Sequence, residues 1–117
     1  MNVIRIADVT VERADRPIFQ GIVHQQPLVT DAMAKGLRLA VITFDPGART
    51  VDHAHSHEQV LCVIAGRGIL ATETERHEVE PGTIIFVPAG ERHWHGATAD
   101  SSFSHISITT PGETTLY

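Results

Sequence analysis

The chain has 117 residues, enough for one domain, and is 42% hydrophobic and 20% charged, which excludes a disordered chain. Its formal charge is −5 with no run of Lys or Arg, so neither nucleic acid nor an anionic membrane is expected as a partner. No stretch approaches the roughly 18 apolar residues of a membrane-spanning helix. The single cysteine, Cys62, excludes an internal disulfide and fits a reducing compartment. The opening MNVIRIADVTVERADR interleaves apolar residues with charges and holds no signal-peptide core, so a cytoplasmic location is expected.

In chain order, short runs Val3–Ile6, Val9–Glu12 and Ile18–His24 read as weak strands, and Asp31–Lys35 as a helical turn. Stronger strands follow at Leu37–Phe44, Val60–Ala65, Gly68–Glu73, Thr83–Val87 and Phe103–Thr109, rich in β-branched residues. Gly and Pro punctuate them at Asp45-Pro46-Gly47, Gly66-Arg67-Gly68, Glu80-Pro81-Gly82, Pro88-Ala89-Gly90 and Pro111-Gly112. Many short strands with close turns predict an all-β sandwich or barrel in a single domain. A closed barrel removes unpaired edges, and its interior can hold one small ligand.

Six of the eight histidines fall at 53, 55, 57, 93, 95 and 105. Residues two apart on a strand share a face, so His53 projects with His55 and His93 with His95. Two such pairs facing one another across a barrel would make a three-nitrogen metal site with positions left open. His105 shares its side of the last strong strand with Ser107. A histidine near its ordinary pKa suits acid/base work beside a bound substrate.

The spacing Gly47-x5-His53-x-His55-x3-Gln59-x6-Gly66 resembles the first cupin motif, and Gly82-x5-Pro88-x-Gly90-x2-His93 resembles the second. The resemblance implies an all-β, double-stranded β-helix (a cupin or jelly-roll barrel) with a core over about residues 37–110. Strands within residues 1–24 would extend a sheet or form an interface, and a homodimer is implied. One divalent metal would be held by His53, His55, Gln59 and His93. Glu58 competes with Gln59 as ligand, since a local bulge would re-aim either. Two positions depart from the motifs: Gln59 stands where Glu is usual, and Ala97 where Asn is usual. Three imidazoles and an amide leave the full +2 on the ion, which favours an anionic ligand.

Phe44-Asp45-Pro46-Gly47-Ala48-Arg49-Thr50 and Gly90-Glu91-Arg92-His93-Trp94-His95-Gly96-Ala97 further resemble manganese-dependent bacterial cupin hydroxynitrile lyases and carboxymuconolactone-decarboxylase-associated cupins. That resemblance implies proton-transfer or substrate-orienting roles for His105 and His95, and pocket-lining roles for Ala40 and Ile42. The function so implied is lyase or enolisation chemistry on a small oxygenated substrate, with manganese as the metal and iron, nickel or zinc as alternatives. The competing functions are an Fe(II) cupin dioxygenase and a non-catalytic small-ligand-binding cupin. His57 reads as an exposed loop-edge residue, Cys62 as a wall residue, Trp94 as outward-facing, and Arg38 and Arg49 as solvated surface.

Overall fold

The computed structural model describes all 117 residues. Thirteen strands make up the molecule: β1 (Glu12–Arg13), β2 (Phe19–Gln20), β3 (Val23–Val29), β4 (Arg38–Phe44), β5 (Arg49–Thr50), β6 (His53–His55) and β7 (Gln59–Gly66) in its first part. The rest are β8 (Gly68–Ala71), β9 (Arg76–Val79), β10 (Ile84–Val87), β11 (Trp94–Ala97), β12 (Phe103–Thr109) and β13 (Thr114–Leu116). A six-stranded sheet runs β1-β3-β4-β12-β7-β10, a five-stranded sheet β2-β5-β11-β8-β9, and β13 pairs with β6 alone. Every pairing is antiparallel. No helix is long and apolar enough to cross a membrane.

Alternation builds the core. Phe44, Leu61, Val63 and Phe103 are at most 2% exposed and meet Val23 of the same sheet and Leu70 and Val79 of the facing sheet. Alternate positions point outward, so Cys62 on β7 is half-buried and Ile84 and Phe86 on β10 are exposed. The turn between β7 and β8 depends on Gly66, whose φ of 72° suits glycine and whose missing Cβ leaves room for the Ser102 carbonyl.

The strong strands lie where the sequence puts them, within one residue at each end except at Gly68–Glu73. That run ends at Ala71, because the Thr72 hydroxyl accepts from the amides of Thr74 and Glu75 and turns the chain. Several weaker expectations need correction. Val3–Ile6 is not a strand: amides of Asp8 and Val9 reach back to Arg5 and Ile6 and wind a 3-10 turn over Ile6–Asp8. The Gln26 amide donates to the carbonyls of Ile6 and Val9 and holds that turn against β3. Of Val9–Glu12 only Glu12 pairs, together with Arg13, and Ile18–His24 divides at Gly21, φ 85°, into β2 and the start of β3. Asp31–Lys35 is a single turn, closed by the Ala34 amide on the Thr30 carbonyl. The N-terminal strands do extend both sheets, β1 on β3 and β2 on β5.

Candidate metal centre

His53 and His93 do not face each other across the barrel, as the spacing suggested. They are direct cross-strand partners. Each amide donates to the other's carbonyl at 2.9 Å, and the rings stand 4.3 Å apart, centre to centre. Parity then places His55 beside His53 on β6, with ring centres at 4.9 Å. Ligand atoms of these three histidines all lie within 4.8 Å of one another, and the residues are buried. Gln59 opens β7 on the six-stranded sheet and is 6% exposed, while Glu58 is exposed. Gln59, not Glu58, therefore turns into the interior.

Hydrogen bonds fix which atoms face inward. The Nδ1–H of His53 donates to the Val51 carbonyl and that of His93 to the Glu91 carbonyl, both at 2.8 Å. Nδ1 of His55 lies 2.9 Å from the Thr114 hydroxyl. The Gln59 amide donates through Nε2 to Ser107 at 3.0 Å. What remains is Nε2 of His53, His55 and His93 and Oε1 of Gln59, all buried and all without a protein partner. Buried polar atoms left unpaired cost on the order of 1–3 kcal/mol each, so four together call for a common partner. Three imidazole nitrogens and an amide oxygen are a donor set suited to a divalent transition metal. The buried triad could hold such an ion.

Burial keeps these rings neutral, the form a ligand needs. His53 and His55 are each pushed down to about 4, first by desolvation and then by the neighbouring imidazoles. Desolvation lowers His93 as well. His95 is held well below its ordinary value by burial and then by His105, and burial takes His105 down to about 3.

His95 and His105 lie in the adjoining layer. Nε2 of His105 is 3.1 Å from Nδ1 of His95, one N–H donating to the other ring, and they are 0% and 5% exposed respectively. Thr50, fully buried on β5, accepts from the His95 amide and fixes β11 behind it. A cavity of about 570 Å³ opens onto this layer. His53, His55, Gln59, His95 and His105 form its buried lining, and Ala40, Ile42 and Ser107 belong to its wall.

Other residues sit differently from their sequence readings. His57 is half-buried rather than exposed: β6 ends at His55, and the chain turns so that the two rings stack at 4.9 Å and His57 joins the cavity lining. Arg38 stays on the exposed surface and there pairs with Asp31 through two bonds of 2.7 and 2.8 Å at the cavity wall. Arg49 is also engaged, its guanidinium 3.7 Å from the Trp94 ring centre on the outward face. Sequence reasoning missed Arg16 and Thr114, which also line the cavity. Neither carries a motif; only the pairing of distant segments brings them there.

The Cupin domain family matches residues 40–109. An (R)-mandelonitrile lyase from Granulicella tundricola is 33% identical over 109 residues, covering 92% of this chain and 83% of the relative. A cupin-like protein from Thermotoga maritima superposes with a TM-score of 0.84 at 30% identity, covering 90% of this chain and 83% of its own. A polyketide cyclase from Streptomyces resistomycificus superposes at 0.86 with 22% identity, covering all of this chain and 87% of its own, and speaks to the fold alone.

Proposed function

The chain belongs to the cupin family, and on that premise we propose that it is a metal-dependent lyase acting on small oxygenated molecules, with cyanohydrin cleavage as the reaction to test first. The observation that carries this reading is the group of four unpartnered inward acceptors beside the His95–His105 pair, all but His93 lining one cavity. The similarity to a mandelonitrile lyase supports it.

His53, His55, Gln59 and His93 would hold one divalent ion, manganese in our reading. Bound there, it supplies a Lewis acid that polarises a hydroxyl or carbonyl oxygen. The remaining work belongs to the chain. With Nδ1 of His95 engaged by His105, Nε2 of His95 is left for the substrate. It takes the hydroxyl proton while the proton on its own Nδ1 moves toward His105, so that a charge burial disfavours on either ring alone is shared between the two. The carbon–oxygen double bond forms as the carbon–cyanide bond breaks. The same proton then returns to the departing cyanide, leaving an aldehyde and hydrogen cyanide with no net proton change.

The neutral donor set favours an anionic oxygen or leaving group. Arg16 extends that preference: it lines the cavity and has no carboxylate within ion-pair reach, its one polar contact being Gln25 at 3.4 Å.

The test is metal analysis beside benzaldehyde release from (R)-mandelonitrile by the manganese-loaded chain. His93→Ala should lose metal and turnover together. His105→Ala should keep the metal and lose about 10²–10⁴-fold in turnover. Full turnover by metal-free protein, or by His105→Ala, would remove this mechanism. Oxygen uptake by iron-loaded protein without lyase turnover would favour the dioxygenase reading instead.

A further inference from the structure

We infer that Thr114 is a positioning residue for the metal centre, holding Nδ1 of His55 from the C-terminal strand while leaving its tautomer free to adjust to an ion. The inference rests on reading the three histidines as ligands and is independent of the reaction they serve. An imidazole that ligates through Nε2 must carry its proton on Nδ1. For His53 and His93 the partner of Nδ1 is a backbone carbonyl, which can only accept, so their lone pairs are already aimed inward. For His55 the partner is the Thr114 hydroxyl at 2.9 Å, which can accept or donate. The protein satisfies Nδ1 of His55 in either tautomer, and only one presents a lone pair to an ion. Two ligands are preset and the third is adjustable.

The strand carrying Thr114 is fastened on both sides of that contact. β13 pairs with β6 so that Thr114 stands opposite His55 and Leu116 opposite His53. The Ser56 amide donates to the Glu113 carbonyl, the Glu113 amide to the Ser56 hydroxyl, and the Tyr117 amide to the Asp52 carbonyl, each at 2.9 Å. Arg92 joins the far end, its guanidinium 4.3 Å from the Tyr117 ring centre and 3.3 Å from Asp52. At the near end Gly112 passes so close that a Cβ would enter the His57 ring and the Ser56 hydroxyl. These contacts are local to the ligand strand. The five residues Glu113–Tyr117 are exposed and contribute nothing to the buried core.

The experiment is a competition titration of the full chain with manganese(II) against a chromophoric chelator. Thr114→Val keeps the shape and removes the hydroxyl; it should weaken binding about 10–100-fold, the range for losing a ligand's outer hydrogen bond. Thr114→Ser should restore it. Imidazole nitrogen NMR of the metal-free chain should show His55 in two tautomers, with Thr114→Val shifting His55 and leaving His53 and His93 alone. Unchanged melting of Thr114→Val would separate lost affinity from lost fold. Wild-type affinity in Thr114→Val, or an equal loss in Thr114→Ser, would overturn the inference. A wild-type chain that binds no divalent ion would instead overturn the ligand reading beneath it.

Discussion

At one end of the barrel the inward positions of β4, β7 and β12 are Phe44, Leu61, Val63 and Phe103. Toward the other end, the same three strands turn in Ala40, Gln59, His105 and Ser107. The apolar end is packed shut, with the Phe44 and Phe103 rings stacked at 6.0 Å; the polar end opens onto the cavity. Parity along a strand tells which residues point in, but it does not tell which end they serve. The barrel divides the two along its axis, the packed core at one end and the candidate metal centre at the other.

Cutting into the packed end should do the most damage. Phe103→Ala removes a fully buried ring and should destabilise the metal-free chain by about 3–5 kcal/mol, read from urea unfolding. If it costs under about 1 kcal/mol, the division between the ends is wrong. At the polar end the expected handle is pH. The unfolded chain protonates its histidines near 6.5, whereas folded His53 and His55 stay neutral down to about 4. Between those values the unfolded state binds more protons, so stability rises with pH across the window. The melting temperature of metal-free protein should therefore fall as pH drops from 6.5 towards 4, and a flat profile would contradict the buried neutral cluster. The smallest effect belongs to the cavity edge, where His57→Ala should change stability by no more than about 0.5 kcal/mol.

Much of this division was legible in the chain. The Gly, Pro and His spacings pointed to the barrel, and parity put His53, His55, His93 and His95 on inner faces. The choice of Gln59 over Glu58 followed the motif rather than parity, and the structure turns Gln59 inward. Legibility ended where pairing partners are distant. β13 reads Thr-Thr-Leu, exposed throughout, and is a strand only because β6 offers it an edge. β9 reads Arg-His-Glu-Val with one buried residue, so it shows almost no alternation. His57 shares the parity of His53 and His55 and does line the cavity; reading it as an exposed loop-edge residue set that parity aside. Arg16 is brought to the cavity by the extended N-terminal segment, whose own strands are two residues long.

Trp94 is the only tryptophan; it follows His93 directly and opens β11. Guanidinium groups of Arg49 and Arg76 approach its ring, at 3.7 and 5.7 Å from the centre. The chain thus carries its one indole fluorophore a peptide bond from the candidate ligand His93, in a defined cationic setting and outside the lining of the cavity. A paramagnetic ion entering the centre would quench its emission, so occupancy can be followed by light from the unlabelled protein while the pocket stays free for substrate.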